Sequence, residues 1–557
     1  MKYVGFSGCF VILPVYDLKK IYYFKSSDFY ETVSKKMKNT EKTFYSEIHT
    51  VRDLIDNSAK LYGDKAFIKY VKGDEIIEKS FSVIRENSLA VCRYIRSVCP
   101  DRMHIAIIGK TTYEYITALT GVLISGNVFV PFAPNISVEE ACELFEDGDV
   151  EALFFENDFA DKAKEIAEKY GKLKAFVNMG DENWFSEIYE RYDSDSEFAP
   201  LSEIEIDSSS CAAIVYTSGT TGIRKGVMLS SDNLIANITY PELSMDKNDV
   251  FLSVLPMHHI FCISCDYFKP LLEGLTVCLN GDISNIGKNL ALFEPSTMRA
   301  VPMIYETLIR KIHIVHKRFP QLTCREASEK VFGRNIKWLA VGGAYLSPGL
   351  VEEYEKYGIM LRQGYGMTET SPKITTADFD YQCKDSSGKI LKSICDVRIV
   401  DGEIQVKGKS VMMGYYKKPE ETAKIFTDDG YLKTGDLGRI CECGNHLYVT
   451  GRKKNLIILS NGENISPEEI EKKFIDEKVI KEIIVSAEDD RIVAEIYPDA
   501  EYAAAMGIED IEAYLEKIIF EANKGETPER EIAILRLRET PFPKTSTGKI
   551  KRKYVTY

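Results

Sequence analysis

The sequence predicts an α/β fold. A large N-terminal part is built of layered α/β subdomains plus a β-barrel-like subdomain, and a small α+β unit closes the chain. Three observations predict this. Short apolar runs alternate with helical patterns from about residue 50 to about 340, as in largely parallel sheets covered by helices. From about 390 to 450, short strand-like pieces alternate with glycine-rich turns, which favours antiparallel pairing. With 557 residues, 45% hydrophobic and 28% charged, the chain is globular in composition and too long for one core.

Residues 1–45 read as an N-terminal extension of unassigned role, because aromatic and lysine residues there lack periodicity. Residues 46–452 read as the large domain, and 453–557 as the small one. Helical spacing begins near Thr50-Val51-Arg52-Asp53. Ala66–Val71 alternates as a strand, and Ser80–Val98 reads as an amphipathic helix. Ile105–Gly109, Val128–Phe132 and Ala152–Phe155 are buried strands separated by helices from Tyr113 and over 138–147. Strands resume at Phe251–Leu255, Thr276–Leu279 and Trp338–Val341. The β-rich part contains Val397–Val400, Glu403–Val406 and His446–Val449. In the small unit, Ser466-Pro467-Glu468-Glu469 supplies a cap, a first-turn proline and a capping-box glutamate. Strands at 483–485, 492–496 and 532–537 flank a helix with Ile511, Tyr514, Leu515, Ile518 and Ile519 on one face.

The formal charge of −14 argues against non-specific nucleic-acid binding. No stretch approaches the roughly 20 apolar residues of a membrane span, and residues 3–16 lack the flanks of a cleaved leader. Thirteen scattered cysteines suit reduced thiols in a cytoplasmic protein. Cys262 and Cys265, beside His258 and His259, form a C-x-x-C pair embedded in aromatic and aliphatic residues. They read as packed core thiols rather than a metal site.

The richest stretch is 211–233. A strand from Cys211 to Tyr216 empties into Thr217-Ser218-Gly219-Thr220-Thr221-Gly222, then Arg224 and Lys225, then a helix start at Ser230-Ser231-Asp232. Backbone donors, hydroxyls and two cations gathered there suit a polyphosphate, although the spacing is not that of the nucleoside-triphosphatase P-loop. Further motifs follow in order: Leu255–His259, Gly342-Gly343-Ala344, Gly364-Tyr365-Gly366-Met367-Thr368-Glu369-Thr370, Tyr431–Asp436, Gly451–Lys454, Ser460–Pro467 and Pro543–Lys549.

Each motif is weak alone, but together and in this order they resemble the adenylate-forming superfamily. That group comprises acyl-CoA synthetases, peptide-synthetase adenylation domains and luciferase-like enzymes. The resemblance runs from about residue 50 to the end and is greatest to bacterial long-chain acyl-CoA synthetases. It implies an AMP-forming acid–thiol ligase, an enzyme making a carbon–sulfur bond, that uses ATP, Mg²⁺ and CoA. The partners it implies are a carboxylic acid, expected to be fatty, and CoA or a carrier-protein phosphopantetheine as thiol.

The resemblance assigns Thr217 to Gly222 and Lys225 to the terminal phosphates, Glu369 to Mg²⁺ and Thr368 to the α-phosphate. Gly343 and Ala344 would lie along adenine, with Tyr365 stacked on the ring beside Gly366. Asp436 would accept from the ribose hydroxyls with Arg452 assisting, and Lys549 would bridge the acid and the α-phosphate. Lys454 matches a hinge about which the small domain moves, and His259 a position beside the acyl pocket. Two departures stand out: Arg224 occupies a position that is usually proline in the family, and Lys454 one that is often aspartate. The alternatives are a carrier-protein ligase, for which Lys472, Lys473, Lys478 and Lys481 could dock the partner, and a non-catalytic nucleotide-binding relative.

Overall fold

A computed structural model describes residues 47–552 except 99–100, 181–186, 189–190, 193–203, 219–223, 241–245, 379–380, 462 and 545–549. The N-terminal extension therefore lies outside the described residues.

Among the described residues, two seven-stranded sheets form the large part. One runs in the order Met360–Gln363, Trp338–Val341, Thr297–Ala300, Val250–Ser253, Thr276–Leu279, Ala66–Lys72 and Glu75–Ser80. It is parallel except for its last pair. The other runs Gly414–Tyr415, Arg224–Ser230, Cys211–Ser218, Val128–Phe132, His104–Ile108, Val150–Phe155 and Ala175–Asn178. Its central strands are parallel. Helices Phe81–Val98 and Tyr113–Ile124 pack against each other in the core between the sheets, which also gathers Phe67, Phe129 and Phe251. In Tyr113–Ile124 every residue but Glu114 is buried, so this helix is apolar on all sides because no side faces water.

The helix at Val51–Tyr62 starts at Thr50, whose hydroxyl and the carboxylate of Asp53 make a reciprocal capping box. The antiparallel sheet orders Cys395–Val400, Glu403–Gly408, Leu432–Ile440 and Leu447–Arg452 consecutively. Residues 457–535 contribute a separate core, with strands Ile480–Glu488, Arg491–Pro498 and Ile532–Leu537 beneath helix Ile511–Asn523. No helix among the described residues is long and apolar enough to cross a membrane.

Three expectations need correcting. Ser466 stands at the helix start, but its hydroxyl makes no capping bond; it donates to Glu468 instead, at 3.2 Å. The cysteines are not all lone thiols, since Cys441 and Cys443 are joined as a disulfide. Lys472 does not face outward for a carrier or nucleotide. It donates to Val449 O at 2.8 Å and lies 4.4 Å from the Tyr345 ring centre, fastening the small unit to the large one.

Candidate active site

Thr217 and Ser218, which open the glycine-rich stretch, end one strand of a β-hairpin. Cys211–Ser218 pairs antiparallel with Arg224–Ser230, placing Thr217 opposite Lys225 and Ser218 opposite Arg224. The sequence suggests that the cations lead straight into a helix, yet a full strand intervenes. Val227 and Leu229 bury one face of that strand, and Gly414–Tyr415 pairs along its other edge. A β-carbon on Gly226 would stand 2.7 Å from Ile214, so the ladder closes only over glycine. Ser230 then caps helix Ser231–Ala236, as its position predicts. Gly219, Thr220, Thr221 and Gly222 lie outside the described residues.

Lys225 is held at the hairpin's mouth. Its ammonium is 2.7 Å from Glu421 and 4.8 Å from the centre of the Tyr415 ring. Hydrogen bonds from Lys225 and Lys424 hold the Glu421 carboxyl down at about 2, so it is ionised at neutral pH. Arg224 pairs with Glu140. The Tyr415 hydroxyl donates to Glu369 Oε1 at 2.9 Å. Tyr415 thus touches both Lys225 and Glu369, and sequence reasoning missed it. A tyrosine pair after a glycine carries no signal of its own; only its pairing with the hairpin strand reveals the role.

Glu369 is buried, and that burial raises its carboxyl above the usual range. It sits on a loop whose shape is over-determined. Gly366 bridges Lys373, and a β-carbon there would lie 1.9 Å from the Pro372 carbonyl oxygen. Asn237, fully buried just past the capped helix, donates to Thr370 O at 2.9 Å and to Lys373 O at 3.1 Å. The hairpin and the Glu369 loop are therefore tied through one short helix. Gly366→Ala should cost about 1–3 kcal/mol, because the backbone of Pro372 must move. Chemical denaturation would read that loss, and an unchanged midpoint would refute this account of the loop.

The same loop carries Tyr365, whose hydroxyl donates to Asp436 Oδ2 at 2.7 Å. Asp436 Oδ1 accepts from Arg452 Nε at 2.9 Å across a directly paired position of the antiparallel sheet. Asp436 is buried, whereas the Arg452 side chain is 41% exposed. The Tyr365 ring packs against the core of that sheet. Gly343, at φ +77°, has open space where a side chain would stand. Gly342 beside it is closed over by the Phe261 ring, 2.7 Å from a β-carbon built there. Ala344 O accepts from Gln363 Nε2 at 3.0 Å.

Thr368 opens the helical turn Thr368–Thr370. His259 is exposed and precedes the helix at Ile260–Cys262, its ring centre 4.2 Å from that of His258. Burial pushes His258 down to about 3, so its imidazole is neutral. Cys262 and Cys265 are core thiols as expected, with Cys262 Sγ 3.0 Å from Leu255 O. Lys454 lies exposed in the helical turn Lys453–Asn455 that follows Arg452. Lys549 lies outside the described residues; Lys544 and Ile550 on either side of it bridge each other.

The sequence profile described as AMP-binding enzyme matches residues 55–416, and that described as AMP-binding enzyme C-terminal domain matches 454–557. The chain is 25% identical to a chloroplastic long-chain-fatty-acid–[acyl-carrier-protein] ligase of Arabidopsis thaliana, over 92% of this chain and 85% of that protein. It is 30% identical to a 2-succinylbenzoate–CoA ligase of Bacillus cereus, over 74% of this chain and 81% of that one. The O-succinylbenzoate coenzyme A synthetase of Bacillus subtilis, solved with ATP and magnesium ion, superposes with a TM-score of 0.70. It is 25% identical, covering 90% of this chain and 98% of that one.

Proposed function

Because the chain belongs to the family of AMP-binding enzymes, we propose that it is an ATP-dependent acid–thiol ligase that activates a fatty acid as acyl-AMP and passes it to CoA. The observation that carries this reading is the loop 364–370. It brings Tyr365, on the carboxylate of Asp436, within four positions of Glu369, which reaches Lys225 through Tyr415. A diol acceptor on the antiparallel sheet and a phosphate-side cation on the hairpin would thereby be linked through one loop.

The chemistry joins two anions. The acid's carboxylate attacks the α-phosphorus, a P–O bond forms, and the bond to the bridging oxygen breaks as pyrophosphate leaves. Thiol attack on the acyl carbon then forms the C–S bond and expels AMP. Lys225 would neutralise the terminal phosphates, taking over from the charge it now shares with Glu421. Thr368 would donate to the α-phosphate, and Thr217 to Gly222 would supply donors around the β- and γ-phosphates. Gly343 leaves room for the base to lie against the backbone.

Glu369 suits a magnesium ion, which is commonly held by one or two carboxylates together with substrate phosphates. One of its oxygens accepts from the Tyr415 hydroxyl. When bound, the ion supplies charge neutralisation for the departing pyrophosphate.

Asp436 would accept from the ribose hydroxyls, since each carboxylate oxygen retains a second lone pair beside its present partner. A hydrogen bond to a charged group is worth about 1.5–3 kcal/mol. Asp436→Ala should therefore raise KM for ATP by roughly 10- to 100-fold, and less for 2′-deoxy-ATP. Equal penalties for both nucleotides would contradict the ribose role.

The fatty acid is favoured by the relative from Arabidopsis thaliana and by Phe261, Ile263 and Phe268. These lie on the helical segment that meets the Gly342 loop. The same relative supports a second reading, in which the thiol belongs to a carrier protein. Mass spectrometry of thioester products from fatty and aryl acids, with CoA or phosphopantetheinylated carrier, tests both. Fatty acyl-CoA is the expected product. Acylated carrier alone would move the assignment to the second reading, and no thioester with any acid would overturn it.

A further inference from the structure

Four metal-ligating side chains converge at the far end of the hairpin that carries Asp436 and Arg452. The turn between strands Leu432–Ile440 and Leu447–Arg452 reads Cys441-Glu442-Cys443-Gly444-Asn445-His446. Cys383 arrives from the short helical turn Tyr381–Cys383. The ligand atoms of Cys383, Cys441, Cys443 and His446 all lie within 4.8 Å of one another. Cys383 Sγ is 4.0 Å from Cys443 Sγ, and Cys443 Sγ is 3.4 Å from His446 Nδ1. A tetrahedral zinc ion, with Zn–S of about 2.3 Å and Zn–N of about 2.0 Å, sets sulfurs about 3.8 Å apart and sulfur and nitrogen about 3.5 Å apart.

The imidazole's other nitrogen supplies the second mark of a metal histidine. His446 is buried, and its Nε2 stands 2.9 Å from Asp378 Oδ2. A carboxylate there fixes the tautomer that leaves Nδ1 free to ligate. We propose that, with its cysteines reduced, this cluster binds one structural zinc ion through Cys383, Cys441, Cys443 and His446, with Asp378 as a positioning residue.

The Cys441–Cys443 disulfide closes a separation of only two residues and so constrains the unfolded chain little. It also leaves the convergence of Cys383 and the His446–Asp378 pair without a purpose. Opening it takes two electrons and two protons from a dithiol, which is oxidised to its own disulfide. Zinc then displaces one proton from each of the three thiols. Four protein ligands fill a tetrahedral ion and leave no open position, so the site is structural rather than catalytic. Its work is to pin the hairpin to the segment following the Glu369 loop, joining elements 60 residues apart at Cys383 and Cys443. The hydrogen bonds Ser387 N to Leu447 O (2.7 Å) and Ile390 N to Asn445 O (2.8 Å) run alongside.

The test is zinc content of the full chain, purified with a phosphine reductant and without chelator. About one zinc per chain is expected. Cys383→Ser and His446→Ala should lose at least roughly tenfold in occupancy at limiting zinc, while Cys142→Ser, on a remote helix, should keep it. Asp378→Asn should retain the stoichiometry but yield the ion to a competing chelator at roughly 10- to 100-fold lower concentration. Because the ligand variants could fail to fold, cobalt substitution of the wild type gives an independent readout. Thiolate-to-cobalt charge transfer and intense tetrahedral ligand-field bands are expected. No metal and no cobalt bands in the reduced wild type would overturn the proposal. So would full occupancy in a folded Cys383→Ser variant, or an intact Cys441–Cys443 bond by alkylation mapping under reducing conditions.

Discussion

Alanine in place of Lys549 should lower acid-dependent pyrophosphate release by roughly 10²–10³-fold, the scale for losing one preorganised charge at a site of developing negative charge. The argument starts from repulsion, because the attacking carboxylate and the α-phosphate are both anionic. A compact ammonium can meet one oxygen of each and fix the line of attack. The effect should fall on the adenylating step alone. ATP affinity should change only a few-fold, since on the proposed reading Lys225, Asp436 and Arg452 would still hold the nucleotide. Supplied with preformed acyl-adenylate, the variant should still make thioester at near the wild-type rate. Rapid-quench measurement of the two half-reactions checks this, and an equal loss in both would contradict the assignment.

Glu369→Gln should lower the adenylation rate by roughly 10²-fold and raise the magnesium concentration giving half the maximal rate, while leaving the fold at least as stable. The two effects have opposite signs for one physical reason. Burial raises the Glu369 carboxyl, so at neutral pH the folded protein bears a desolvation cost that a neutral amide of equal size does not. The Tyr415 hydroxyl can still donate to the amide oxygen. What the amide cannot do is offer an anionic oxygen to a divalent cation. Magnesium titration of the rate, beside thermal unfolding in the absence of nucleotide, separates the two. A destabilised variant with an unchanged magnesium requirement would reduce Glu369 to a packing role.

Most of the fold was legible because buried parallel strands leave uninterrupted apolar runs. Val128–Phe132 and Trp338–Val341 occur where those runs stand, and helix Val138–Asp147 spans its expected residues. The strand Arg224–Ser230 was hidden because Arg224, Lys225 and Gly226 open it with charge and glycine. Its second partner, Gly414–Tyr415, lies far along the chain. Tyr415 and Glu421 around Lys225 were hidden for the same reason, since long-range pairing leaves no local periodicity. The cysteines show this most clearly. Cys262 and Cys265 attract notice by spacing yet point into the core, whereas Cys383 meets Cys441, Cys443 and His446 only through the tertiary fold. Of the residues the motifs single out, Tyr365 and Glu369 stand on one loop and Thr217 faces Lys225 across the hairpin, whereas Asp436 lies mid-strand, where only its pairing with Arg452 sets it apart.

Acid-dependent exchange of labelled pyrophosphate into ATP tests the central claim most directly, since it reports reversible adenylation without any thiol acceptor. Exchange that depends on a long-chain fatty acid in the wild type and is lost in Lys549→Ala is the predicted result. ATP binding without exchange, for every fatty and aryl acid supplied, would contradict it.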